Sequence, residues 1–396
     1  MNDLVIAGGG IAAATLVRAL RMLGDQREIT VLCAEAHPPY DRPPLSKEVL
    51  AGSMTEAATE LLTQSDLESL AVDLRVGVAA LSIDPDTLRV QCSDGTALEA
   101  LDVVIATGAR ARRVADYDVE DSVYYVRTLD DARALSDALR VAPSVLVVGA
   151  GFIGMEVAST ARHLGCDVTV VEFAEAPMMR LLGAELGALV SSPAIRHGVD
   201  LRCSTSVVEF VVDGGHRVAV LQDQSRIQAD VVVVGVGVEP EVEWLAGAGV
   251  EVDNGVVCDA GGRTSRGGVW AMGDVSRWPN ALTGQHVRME AWQAALDQAQ
   301  VVAANLAHGR GVGDHDVVWN TLPYFWSDQF GATIQLVGVT GDTREVWEGE
   351  GGPIVAFGTP DRVTGLLAVG HSRLISKARR LISSSGSWEE VRALIV

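Results

Sequence analysis

Apolar positions along the chain fall into short unbroken runs and longer amphipathic stretches, and one arrangement of the two occurs twice. The run Leu4–Ala7 leads into Gly8-Gly9-Gly10-Ile11-Ala12-Ala13, then apolar residues at helical spacing (Leu16, Ala19, Leu20, Leu23), then Ile29–Cys33 and the acid Glu35. The run Val145–Val148 leads into Gly149-Ala150-Gly151-Phe152-Ile153-Gly154, then Val157, Ala161 and Leu164, then Val168–Val171 and the acid Glu172. A short apolar run bounded by turn residues predicts a buried strand, and apolar residues three or four apart predict a helix that buries one face. Each copy therefore reads strand, glycine turn, helix, strand, acid. Val103–Ile105, Val231–Val234 and Val269–Ala271 predict further buried strands, each running into small residues.

That order is the dinucleotide-binding βαβ unit. The first glycine permits the tight turn, the second lets a pyrophosphate approach the backbone, and the third position, Ala13 in one copy and Gly154 in the other, sets how closely helix packs on strand. Free N–H groups and the positive dipole end of the new helix hold phosphate oxygens. The acid follows the first glycine by 27 residues in one copy and 23 in the other, a spacing suited to accepting hydrogen bonds from ribose hydroxyls. Two copies mean two dinucleotides, and a flavin with a nicotinamide is the commonest pair that does chemistry. Gly273-Asp274, at the end of a predicted strand, adds a carboxylate able to accept from the ribityl hydroxyls of FAD.

Composition narrows the class. The chain has 396 residues, 48% hydrophobic and 21% charged, an ordinary globular balance long enough for two to four domains at roughly 100–200 residues each. Its formal charge of −21 repels a polyanion, which argues against a general nucleic-acid binder. Only Lys47 and Lys377 among the basic residues are lysine. The cysteines, Cys33, Cys92, Cys166, Cys203 and Cys258, are odd in number with no close pair, so neither a disulfide framework nor a zinc site is expected. No signal peptide or membrane span is expected, and the chain reads as soluble and cytoplasmic.

Pro39-Tyr40-Asp41-Arg42-Pro43-Pro44-Leu45-Ser46-Lys47 is the most distinctive segment. Together with Ala106-Thr107-Gly108, Gly149–Glu156, Gly273-Asp274, Met289-Glu290-Ala291-Trp292 and Pro323-Tyr324-Phe325-Trp326, it resembles the FAD-dependent NADH:ferredoxin reductases that serve Rieske dioxygenases and cytochromes P450, and the similar putidaredoxin and rubredoxin reductases. The resemblance runs through essentially the whole chain. It implies a glutathione-reductase-like α/β fold with two Rossmann-type domains and an α+β C-terminal interface domain. The boundaries expected are 1–112 with 240–318 for FAD, 113–239 for NAD and 319–396 for the interface domain.

The resemblance also implies roles. Gly8, Gly10, Ala13, Glu35, Arg42, Lys47, Asp274, Trp292 and Trp326 belong to the FAD site, with Ala106, Thr107, Gly108, Arg110, Glu290 and Ala291 beside them. Lys47 would lie near the reactive edge of the isoalloxazine, where a cation favours negative charge on the reduced ring. Gly149, Gly151, Ile153, Gly154, Glu172 and Gly235 belong to the NAD site, and Glu156 would lie near the nicotinamide and could pair with Lys47. The competing readings are a first-turn helix acid favoured by the dipole for Glu156, an exposed lysine at a helix start capped by Ser46 for Lys47, and plain core aromatics for the two tryptophans. Glu172 favours NADH over NADPH, since a carboxylate binds a 2′-hydroxyl, repels a 2′-phosphate, and has no arginine directly after it.

Many relatives pass electrons through a dithiol or a flavin-adjacent cysteine. Here the segment Arg42–Lys47 has no thiol and Cys33 lies in a predicted strand, so direct transfer from flavin to a one-electron acceptor is expected. Strands over Thr333–Val339, Pro353–Gly358 and Val363–Val369 and helices over Ser372–Ile382 and near Trp388–Ile395 are predicted in the last third. That stretch from Trp319 onward carries 8 acids and 7 bases, so the acidity lies elsewhere. Arg373, Lys377, Arg379 and Arg380 gather on one predicted helix, a docking face for an acidic [2Fe–2S] ferredoxin or simply a solvated face with dipole-matched bases. Two other functions fit the same fold: an NADH oxidase or small-acceptor reductase, weakened by the missing cysteine, and an NADH-sensing flavoprotein acting through complex formation.

Overall fold

The structure, a computed structural model, describes residues 2–114, 117, 123–213, 216–308 and 316–395. The chain divides into two compact units, one of residues 1–41, 59–110 and 239–322, the other of 42–58, 111–238 and 323–396.

In the first unit the run Asn2–Ala7 is the middle of a sheet, parallel to Ile29–Cys33 on one side and to Ala97–Ile105 on the other. Val72–Val76 extends the sheet beyond Ile29–Cys33, and Val269–Ala271 joins Ala97–Ile105 in parallel. Strand order therefore reverses beside Asn2–Ala7, which opens a crevice at the carboxyl ends of the strands, where α/β sheets receive ligands. Helix Ile11–Met22 buries Ala12, Ala13, Leu16, Val17, Ala19 and Leu20 on this sheet and against helix Trp292–Ala307. The face is mostly alanine and valine, so the two helices approach closely. Strands that are apolar on both faces, such as Leu4–Ala7 and Val103–Ile105, are fully buried, as a helix-covered parallel sheet requires.

The second unit repeats the plan. Ser144–Val148 is parallel to Asp167–Val171 on one side and to Val231–Val234 on the other, with Asp200–Arg202 and Val123–Tyr124 at the edges. Helix Phe152–His163 covers it. An antiparallel sheet of five strands follows near the C-terminus, Tyr324–Gln329, Ala332–Gly338, Val363–Val369, Gly352–Gly358 and Thr343–Gly349 in spatial order, backed by helices Ser372–Ser383 and Trp388–Ile395. Two of these strands escape a reading of apolar runs. Thr343–Gly349 is an edge strand whose apolar residues Val346 and Trp347 are flanked by the charges Arg344, Glu345 and Glu348, and Tyr324–Gln329 mixes aromatic with polar residues.

Two segments group differently from the expected boundaries, for visible reasons. Arg42–Ala58 packs in the second unit, where Thr160 Oγ1 donates to Ser46 O at 2.8 Å and Ser136 Oγ donates to Leu50 O at 3.0 Å. The C-terminal sheet shares a core with helix Met179–Arg196, in which Leu182, Leu186 and Val190 meet Ile334, Leu336, Val355 and Leu367. Among the described residues no helix is long and apolar enough to cross a membrane.

Candidate active site

The first glycine turn lies in the crevice of the first unit. Gly8 has φ +120°, and a Cβ there would stand 2.0 Å from the carbonyl oxygen of Ala106, so only glycine fits. Gly10 caps helix Ile11–Met22 without a side-chain hydrogen bond, and a Cβ on it would meet nothing within 4 Å. That open space over uncapped helix N–H groups is what a pyrophosphate needs. Ala13, the third residue of the helix, is buried. Glu35, two residues past the end of the second strand, accepts a hydrogen bond from the Tyr40 hydroxyl.

Three further segments of this unit carry expected site residues. Ala106, Thr107 and Gly108 continue from strand Ala97–Ile105, and Thr107 Oγ1 donates to Glu241 O at 2.8 Å. Arg110 is held by three carboxylates, from Glu239, Glu241 and Glu243 at 3.2, 3.0 and 2.6 Å, and its hydrogen bond holds the pKa of the Glu243 carboxyl down at about 2. Its guanidinium thus serves first to tie the Ala106–Gly108 turn to the returning chain. Gly273 N donates to Gln298 Oε1 at 2.8 Å, which fixes the turn that carries Asp274. Glu290 is paired with Arg288 at 2.7 Å, and Arg288 also reaches Asp274 O at 3.3 Å. Helix Trp292–Ala307 starts after Ala291, again without a side-chain cap, and Trp292 Nε1 donates to Asp41 Oδ1 at 2.7 Å.

The second glycine turn has the same construction. Gly149 has φ +102°, and a Cβ on it would lie 2.4 Å from Gly235 O, the counterpart of the Gly8 and Ala106 contact. Gly151 caps helix Phe152–His163 without a side-chain bond, and the nearest atom to a Cβ there would be Gly235 O at 4.0 Å. Ile153 is exposed on the first turn of this helix. Glu172 Oε2 accepts from Ala150 N at 2.6 Å and its Oε1 from Ala174 N at 2.8 Å. The acid is thereby held at the rim of the turn, with lone pairs left for sugar hydroxyls.

Glu156 is the fifth residue of helix Phe152–His163, past the first turn where the dipole favours an acid. It is 6% exposed and accepts from the Ser46 and Ser327 hydroxyls at 2.6 and 2.7 Å. Lys47 Nζ stands 3.1 Å from Glu156 Oε2 and donates to Pro43 O at 2.9 Å. Lys47 is not an exposed lysine, since 13% of its side chain meets solvent. Ser46 closes the 3₁₀ turn Pro43–Ser46 and gives its hydroxyl to Glu156 rather than to a helix end. The contributions of Ser46 and Ser327 carry no signal in sequence, because Ser327 is 171 residues from Glu156. Arg42 donates to Arg127 O in the same unit. Trp326 stacks on Tyr324 at 6.0 Å between ring centroids, and the Arg379 guanidinium lies 5.9 Å from the Tyr324 ring.

The chain matches the pyridine nucleotide-disulphide oxidoreductase family over residues 2–299, which hold both turns, and the reductase C-terminal family over 324–394. The chain belongs to the pyridine nucleotide-disulphide oxidoreductase family. Within that family it is 38% identical over 97% of its length, and 94% of the relative's, to the ferredoxin–NAD(+) reductase component of an anthranilate 1,2-dioxygenase system from Burkholderia cepacia. It is 36% identical to rhodocoxin reductase from Rhodococcus erythropolis, covering 85% of this chain and 78% of that one. Its structure superposes on that of a putidaredoxin reductase–putidaredoxin complex with a TM-score of 0.90 at 30% identity, over 97% of this chain and 93% of the other. Family membership accounts for the doubled turn.

Proposed function

We propose that this chain is an NADH:ferredoxin reductase that uses FAD to pass reducing equivalents from NADH to an iron–sulfur ferredoxin of a Rieske dioxygenase or cytochrome P450 system. The observation that carries the proposal is the pair of glycine turns, each with an open second-glycine position, an uncapped helix and an acid at the next strand end. The relatives named as ferredoxin reductase components along almost the full length supply the acceptor class. Bound FAD would supply the chemistry, taking a hydride's two electrons and releasing them singly.

The protein's own part is binding and placement. Gly8 and Gly10 would admit the FAD pyrophosphate, Glu35 its adenosine ribose and Asp274 its ribityl chain, while the uncapped helix at Trp292 would present N–H groups to the ring. Gly149, Gly151 and Glu172 would do the same for NADH. Lys47 and Glu156 form a largely buried pair held in position by Pro43 O and by the Ser46 and Ser327 hydroxyls before any ligand arrives, the condition for electrostatic preorganisation. Arg373, Lys377 and Arg380 are exposed on helix Ser372–Ser383 and would attract an acidic ferredoxin. Arg379 is half-buried against Tyr324 and supports that face from beneath. A cytoplasmic location is part of the same proposal, since NADH is supplied there and thiols stay reduced.

Stopped-flow mixing with NADH, followed by titration with a [2Fe–2S] ferredoxin, tests the proposal. Rapid bleaching of the flavin and its reoxidation by ferredoxin are expected. Rapid bleaching without ferredoxin reoxidation would assign a small acceptor, and slow bleaching with a persistent charge-transfer band would assign a sensor.

A further inference from the structure

Phe173 follows Glu172 directly, past the carboxyl end of strand Asp167–Val171, and is 80% exposed. Among the described residues no other phenylalanine, tyrosine or tryptophan is exposed. The backbone on both sides of it is held. Glu172 N donates to Arg202 O at 2.8 Å and Thr205 N to Glu172 O at 3.1 Å, while Ser204 N donates to Ala174 O at 2.8 Å. The Glu172 side chain bridges the residue as well, accepting from Ala150 N on one oxygen and Ala174 N on the other. The ring is therefore presented to solvent from a fixed mount, where a floppy loop would have let it fold back onto apolar surface.

The order of groups along the strand end gives the ring a use. The Gly149–Gly151 turn faces the position of a pyrophosphate, Glu172 is tied to that turn through Ala150, and Phe173 comes next. An adenine dinucleotide presents the same order: pyrophosphate, ribose, adenine. We propose that Phe173 stacks on the adenine of NADH, so that the enzyme selects its donor by the adenylate half as well as by the ribose. This rests on the NADH reading above. A ring face recognises a base without hydrogen-bond readout, and its contribution to base binding is a change of affinity alone.

The test uses the FAD-loaded enzyme with NADH, with ADP-ribose as an inhibitor that carries adenine but no nicotinamide, and with reduced nicotinamide mononucleotide as a donor without adenine. Phe173→Ala is expected to raise KM for NADH and the inhibition constant of ADP-ribose together, by about tenfold, with kcat unchanged. Phe173→Trp is expected to restore both. Turnover with the mononucleotide is expected to be the same in all three proteins. An unchanged KM and ADP-ribose constant in Phe173→Ala overturns the proposal, as does an equal loss with the mononucleotide, which would mark general damage to the site. A wild-type protein that NADH does not reduce overturns the NADH reading and this proposal with it.

Discussion

Lys47 and Glu156 offer a sharp test of the site's electrostatics. At 3.1 Å between Nζ and Oε2, Coulomb's law gives about 5 kcal/mol of attraction at an effective dielectric of about 20. Desolvation of two nearly buried charges offsets much of it, so the net coupling should be about 2–3 kcal/mol. Glu156→Leu strands the ammonium with only Pro43 O as partner and leaves two serine hydroxyls without their acceptor, at a cost of about 3–5 kcal/mol. Lys47→Met keeps the aliphatic stem, and the carboxylate retains its two hydroxyl donors, so its cost should be smaller, about 2 kcal/mol. The double variant buries no unpaired charge and should cost less than the two singles added together. Urea unfolding at one fixed excess of FAD gives the four free energies, with cofactor linkage held constant. Additivity within about 0.5 kcal/mol would refute the argument, for it would mean that the two groups do not sense each other.

Other consequences can be checked independently. Glu172→Ala combined with Ala174→Arg should reduce the preference for NADH over NADPH by about tenfold or more, read as a ratio of kcat/KM values; an unchanged ratio removes Glu172 from ribose recognition. Reversing Arg373 and Arg380 to Glu should raise the apparent KM for ferredoxin several-fold and weaken its salt dependence, with ferricyanide reduction intact; loss of both activities would point to misfolding. Burial pushes the thiols of Cys92, Cys166, Cys203 and Cys258 up from their usual range. They are therefore protonated at pH 8 and gain thiolate only as pH rises further, so iodoacetamide at pH 8 should leave NADH-to-ferredoxin turnover unchanged. Inactivation under those conditions would reinstate a thiol relay.

What could be read from the chain was what chain proximity determines. A strand, a glycine turn, a helix and a second strand lie within about 30 residues, so their pattern is local, and Gly8, Gly149 and their helices stand where the spacing put them. The Lys47 and Glu156 pair was foreseeable only through resemblance, since 109 residues separate the two. Ser327 and the grouping of Arg42–Ala58 with the second unit depend on tertiary contacts that leave no periodic trace. The basic helix shows the same limit in one element. Four cations within eight residues read as one cluster, yet the turn of the helix exposes Arg373, Lys377 and Arg380 and tucks Arg379 over Tyr324.

The third position of the glycine motif carries that reasoning one step further, because the two copies differ there. Ala13 and Gly154 are each the third residue of their helix. A methyl on Gly154 would lie 2.1 Å from Gly149 O, so the second helix sits too close to its turn for any side chain, while the first accommodates the buried methyl of Ala13. The substitutions Ala13→Gly and Gly154→Ala should therefore behave differently, although each swaps one copy's residue for the other's. Ala13→Gly loses a buried methyl and some helix propensity, about 1–2 kcal/mol, and leaves the backbone path free to stay as it is. Gly154→Ala gains propensity but must push the helix off the Gly149 carbonyl, an overpacking cost of about 1–3 kcal/mol that displaces the phosphate-facing N–H groups. Its signature is a raised dissociation constant for NAD(+) with FAD content unchanged, measured by flavin absorbance and by calorimetry. If Gly154→Ala bound NAD(+) as tightly as the wild type, the turn would have to yield more easily than the 2.1 Å approach of that methyl to Gly149 O allows.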